Sequence, residues 1–194
     1  MKKHSRFSDG FTLAEMLVVI SVLSVFGVIL AVIFSRTIGG SSKAQILEVI
    51  KQNGQSVLET MDKTVRNGDN IVCPDPGILS STLVVVRDGA YTRFRFITPT
   101  PDSNGYITMD NPVVYSPTMC GDVLINPVVV TDNTLDVKGK TGVSVSGGNF
   151  EVDRKSGFSD IITIKFVIGP GVEVPTNLSS QIDPVSFQTT IQLR

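Results

Sequence analysis

The sequence predicts an α+β fold: one long N-terminal helix, apolar and then amphipathic, with an antiparallel β-sheet packed on its C-terminal half. Three observations predict it. Residues 11–34 form an almost unbroken apolar run. Apolar residues then recur at three- and four-residue spacings as far as Val65. After Cys73-Pro74 the composition turns to Val, Ile, Thr, Gly and Pro in short alternating runs, and no further helical pattern follows.

The elements follow in order. The chain begins MKKHSRFSDG, with Lys2, Lys3 and Arg6 against Asp9. A basic flank of this kind stays cytoplasmic beside an apolar segment. Phe11 to Phe34 is 24 residues. At ~1.5 Å per residue that is roughly 36 Å, enough to cross a ~30 Å hydrocarbon core with some tilt. An ordinary cleaved secretory signal has a shorter apolar region and an A-x-A-like site. Here the run is longer and is followed by SRTIGGSS. Glu15 is the one charge in the run. A charge there is costly, and the plain alternative is a signal anchor with a chance glutamate.

Arg36–Ser42 carries paired glycines, each costing roughly 1 kcal/mol in a helix, and is a soft spot. From Lys43 to Arg66, Ile46, Leu47, Ile50, Val57, Leu58, Met61 and Val65 mark one face. Glu59/Lys63 and Asp62/Arg66 are i,i+4 pairs on the wet side. Asn67-Gly68 is the expected helix stop.

Thr82–Arg87 and Ala90–Ile97 flank Asp88-Gly89, a strong hairpin signal. Phe94 and Phe96 alternate with Arg93 and Arg95, which predicts one buried and one wet face. Tyr106–Met109 and Val113–Tyr115 flank Asp110-Asn111 as a second hairpin. Val123–Thr131 is interrupted by Asn126-Pro127 and is read as an edge or a bulge. Val143–Val145 and Phe150–Val152 flank Gly147-Gly148. Ile162 to Ile168 and Val185 to Leu193 alternate cleanly, with a loop at Gly169–Asn177 between them.

Gly10, Phe11, Thr12, Leu13 and Glu15 carry a resemblance. They resemble the class III signal of type IV pilins and type II secretion pseudopilins: a basic leader ending in Gly, then Phe-Thr-Leu, then Glu at the fifth mature position. The closing SFQTTIQLR resembles the last strand of the larger minor members. The resemblance implies cleavage between Gly10 and Phe11 by a membrane prepilin peptidase, with N-methylation of Phe11. It implies that Glu15 neutralises the Phe11 amine during assembly. A buried carboxylate needs a cationic partner or must neutralise. The implied division is a prepilin leader at 1–10, a filament-core and transmembrane helix at 11–38, the amphipathic half at 39–68 and a β-rich head at 69–194.

The implied partners are other pilins or pseudopilins, the peptidase, an inner-membrane platform protein and a cytoplasmic ATPase. The implied location is the inner membrane, with the N-terminus cytoplasmic and the head outside, and then a filament. The expected function is a structural minor pilin or pseudopilin of a type IV pilus or secretion filament, not an enzyme. The alternative is a membrane-anchored extracellular binding protein or enzyme with a pilin-like anchor.

Composition narrows the chemistry. The leader holds three basic residues and one acidic, so its removal takes the formal charge from −1 to −3. No basic patch for nucleic acid is indicated. The single histidine, His4, lies in the leader, so the mature chain lacks a Ser-His-Asp or Cys-His arrangement. No catalytic residue, metal site or cofactor is expected. Asp102, Asp110, Asp122, Asp132 and Asp136 read as turn formers rather than calcium ligands, since no EF-hand spacing is present. Gly139–Gly148 lacks the ending of a phosphate loop. Aromatics around Tyr91 read as sheet packing.

Cys73 and Cys120 are the only cysteines. In an extracytoplasmic head they would form one disulfide, tying the helix end to the sheet; the alternative is two free thiols. Their spacing excludes a catalytic CxxC.

Overall fold

The structure is a computed structural model, and it describes residues 12–116, 118–132 and 142–194. The side chains of residues 38, 39, 177 and 178 are likewise left undescribed. The fold is α+β, as the sequence predicts. Helix α1 spans Leu13–Arg66. The strands are β1 Asn70–Cys73, β2 Thr82–Arg87, β3 Ala90–Ile97, β4 Tyr106–Asp110, β5 Val128–Val129, β6 Val143–Asp153, β7 Ile161–Pro170 and β8 Val185–Gln192. A short helix, α2, covers Thr176–Ser179, starting at the end of the expected loop and running past it, while β7 takes the loop's first two residues.

The soft spot at Arg36–Ser42 stays helical, since α1 runs on through the glycine pair. The chain divides into two compact units, Met1–Ser42 and Lys43–Arg194. In the second unit the strands form two antiparallel sheets, ordered β1-β2-β3-β4-β5 and β6-β7-β8. Strand β6 meets the first sheet through the Ser80–Phe150 bridge, with Ser80 N–H donating to Phe150 O at 3.1 Å and Phe150 N–H donating to Ser80 O at 2.8 Å. Val145 N–H also donates to Gly105 O at 2.8 Å.

One core joins the helix to both sheets. Ile50, Val57, Met61 and Val65 lie on one stripe of α1 and are buried against Leu83, Phe94, Phe96, Phe150, Ile164 and Phe166, among others. Between Ile50 and Val57 the stripe carries Gly54, and Phe187 of β8 lies over it. A Cβ on Gly54 would stand 2.1 Å from the Phe187 ring. The ring is held by stacking on Phe166, with centroids 5.3 Å apart. Glycine costs about 1 kcal/mol in a helix interior, and here it lets the sheet approach. We expect Gly54→Leu to destabilise the head by ~1–3 kcal/mol through overpacking. Thermal unfolding of the full chain in detergent, followed by circular dichroism, checks this. Adding Phe187→Ala should recover part of the loss; equal melting of Gly54→Leu and wild type would disprove the contact.

The turn Asp88-Gly89 has positive φ at both positions, 49° and 76°, the requirement of a type I′ hairpin. Gly68 follows the helix as expected, but not through a left-handed conformation. A Cβ there would meet Val85 Cγ1 at 2.3 Å, so close approach to β2 demands the glycine.

Three strand expectations need correction. Val113–Tyr115 is not a strand; β4 pairs instead with β5, in the register Thr108–Val129 and Met109–Val128. Pro112 lacks an N–H to donate, and Asp110 is drawn into a buried ion pair. Val143–Val145 and Phe150–Val152 are parts of one strand, β6, with an irregularity between Val145 and Gly147 rather than a turn. Gly148 lies under the Phe96 ring, where a Cβ would come within 2.6 Å. Finally, the Arg93 and Arg95 face of β3 is not wet, because the segment from Thr118 to Ile125 covers it.

Candidate functional site

Two regions carry chemistry. The first is the start of α1. Thr12 stands at the N-cap. Glu15 Oε2 accepts the Thr12 N–H at 2.9 Å and the Thr12 hydroxyl at 3.0 Å. The Glu15 N–H in turn donates to Thr12 Oγ1 at 3.2 Å. This reciprocal pair is a capping box, and it satisfies helix-start N–H groups that have no partner inside the helix. Gly10 and Phe11, the expected cleavage and methylation sites, lie outside the described residues.

Beyond the cap, the helix turns large apolar side chains outward. Leu17, Leu23, Phe26, Leu30 and Phe34 are all exposed. The hydroxyls within this stretch are satisfied locally: Ser21 donates to Val18 O, Ser24 to Ile20 O and Thr37 to Ile33 O, each at 2.8–2.9 Å. The helix is long and apolar enough to cross a membrane. No charged residue lies between Glu15 and Arg36.

The second region is the disulfide loop of the head. Cys73 and Cys120 are bonded, with Cα atoms 6.0 Å apart. Cys73 ends β1, so the bridge ties the first strand, rather than the helix end, to the loop. Arg93 is buried and forms a two-pronged ion pair with Asp110, at 2.8 and 2.5 Å. It also donates to the carbonyls of Met119 at 2.6 Å, Asp122 at 3.3 Å and Val123 at 3.0 Å. Arg95 donates to Thr82 Oγ1 at 3.1 Å and to the carbonyls of Cys120 and Asp122, both at 2.9 Å. Ile125 N–H closes the network on Asp110 at 2.9 Å.

Burial alone would raise the Asp110 carboxyl. The Arg93 guanidinium, the Ile125 N–H and the charge of Arg95 outweigh it and hold the group below the usual carboxylate range. Asp110 was expected to form a turn; it is the buried anion of the head. Two signals for this were present in the sequence: an acid at the end of the strand after the arginines, and no other basic residue between Arg95 and Lys138.

Tyr91 packs toward Tyr115, with ring centroids 6.3 Å apart. Val113 and Val114, and within the covering segment Val123 and Ile125, are exposed. Asp102, Asp122 and Asp132 do not converge with other ligands, and no metal-binding cluster occurs among the described residues. Asp136 lies outside them.

The fold and the first region define a class: an apolar helical anchor that continues into a disulfide-locked β head. The start of the chain then places it more narrowly. Residues 6–31 match the family described as the prokaryotic N-terminal methylation motif, the class III signal typical of type IV pilins and pseudopilins. The motif and the apolar helix together fit a prepilin-like protein. No curated protein and no solved structure matches the chain.

Proposed function

We propose that the protein is a minor pilin or pseudopilin, a structural and non-catalytic subunit of a type IV pilus or type II secretion filament. The methylation motif at residues 6–31, opening an outward-facing apolar helix, carries this reading. The apolar surface of residues 13–34 is held in the inner membrane until neighbouring helices replace the lipid. The leader stays cytoplasmic and the head lies outside, where an oxidising compartment supports the Cys73–Cys120 bond. A prepilin peptidase removes residues 1–10 and methylates Phe11. A platform protein, driven by a cytoplasmic ATPase, moves the subunit into the filament beside other pilins.

Mass spectrometry of the protein from cells that hold the peptidase tests the first step. We expect a chain that begins at N-methylated Phe11. An intact Met1 terminus in those cells would overturn the proposal.

A further inference from the structure

We propose that Arg93 and Arg95 are the positioning residues of the Cys73–Cys120 disulfide. They fold the segment from Met119 to Val123 onto β3 while both cysteines are still thiols, and oxidation then locks a loop already in place.

The sheet register supports this order. Cys73 pairs with Val84, Val84 with Arg93 and Arg93 with Asp110. The four residues form one cross-strand row, and paired residues project to the same face. Cys73, Val84 and Met119 share a small buried cluster on that face, with Cys120 and Tyr91 packed against it. Arg93 and Arg95 are two residues apart on the same strand, so they face the same way.

Together the arginines donate to four carbonyls, those of Met119, Cys120, Asp122 and Val123. The carbonyl of Cys120 itself is held by Arg95. None of these bonds needs the sulfur link.

Without the arginines, the stretch that follows Asp110 has to bring Cys120 to the end of β1 unaided, across a sequence separation of 47. Loop-closure entropy opposes such a meeting. With them, the Cα atoms of residues 73 and 120 stand at the 6.0 Å that a bridge needs. One thiolate attacks a disulfide oxidant to give a mixed disulfide. The second thiolate displaces the oxidant's remaining sulfur. Two electrons and two protons pass to the oxidant, which leaves as two thiols.

The inference rests on the proposed placement of the head only for its setting in the cell. Its test is made on purified full chain in detergent, so the two fail separately. The chain is equilibrated in graded mixtures of reduced and oxidised glutathione, and free thiols are counted by mass tagging. We expect Arg95→Gln to lower the effective concentration of the two thiols about tenfold, the factor that ~1.4 kcal/mol gives. Arg66→Gln, which breaks an exposed ion pair on the helix away from both cysteines, should leave it unchanged.

A cysteine-free chain, Cys73→Ser with Cys120→Ser, provides the second measurement. Its Met119–Ile125 amides should remain protected from hydrogen exchange, and adding Arg95→Gln should remove that protection. An Arg95→Gln effective concentration equal to wild type would overturn the proposal. So would a cysteine-free chain whose loop exchanges freely, or whose head fails to fold, since either would put the disulfide first.

Discussion

Glu15→Ala and Glu15→Gln should both insert into the membrane, fold the head and then fail to enter filaments. The expected loss in the sheared-filament fraction is about tenfold or more, the scale of losing a charge-assisted pair where water is excluded. Glu15 has two possible roles, and the pair of variants separates them. Glutamine retains the capping-box acceptor that Thr12 uses and loses only the charge. Alanine loses both. If the carboxylate acts only as a cap, the glutamine variant will assemble like wild type, and the proposed pairing with the Phe11 amine is then wrong. Thr12→Ala, which removes the cap partner but not the charge, should retain most of the assembly. Immunoblots of membrane and sheared fractions give all three results. On the proposed membrane placement, Glu15 lies near the start of the helix, where interfacial water would reach it. Packing against neighbouring helices removes that water, so the defect should appear at assembly and not at insertion.

Asp110→Asn should lower the stability of the head by about 3–5 kcal/mol at neutral pH, because it leaves the Arg93 guanidinium buried and uncompensated. The Arg93 and Asp110 side chains are 1% and 0% exposed, so solvent does little to soften the change. The pH dependence has a definite sign. The folded-state carboxyl titrates below its ordinary value. Its contribution is therefore present above the unfolded pKa of about 3.9 and is lost as the pH falls through the lower folded value. Wild type and Asp110→Asn should differ most near neutrality, and the gap should begin to close as the pH falls below about 4. Denaturant midpoints of the full chain in detergent, measured from pH 3 to 8, test this. A gap between the two that stays constant with pH would refute the assigned role of the carboxylate.

Patterns of short range were legible in the sequence. The apolar run, the amphipathic stripe ending at Val65, the Asp88-Gly89 hairpin and the alternation of β7 and β8 all depend on neighbours within a few residues. The capping box at Thr12 and Glu15 was equally local, and its spacing was open to reading. What remained hidden was set across the fold. Arg93 and Arg95 alternate with phenylalanines as a solvated face would, and only a loop some 25–30 residues further on covers them. Val113–Tyr115 has the composition of a strand, but β4 takes β5 as its partner. Gly147-Gly148 resembles a turn, whereas the Phe96 ring needs the space that a glycine leaves.

The contact between Gly54 and Phe187 also bears on how such subunits can be recombined. The residue that receives the last strand of the head lies in the helix, more than a hundred positions earlier in the chain. A chimaera spliced at the end of α1 would give a foreign head the wrong seat. Splicing before Lys43 carries the seat along with the head. A head transplanted with its seat therefore takes the second half of the helix together with the strands.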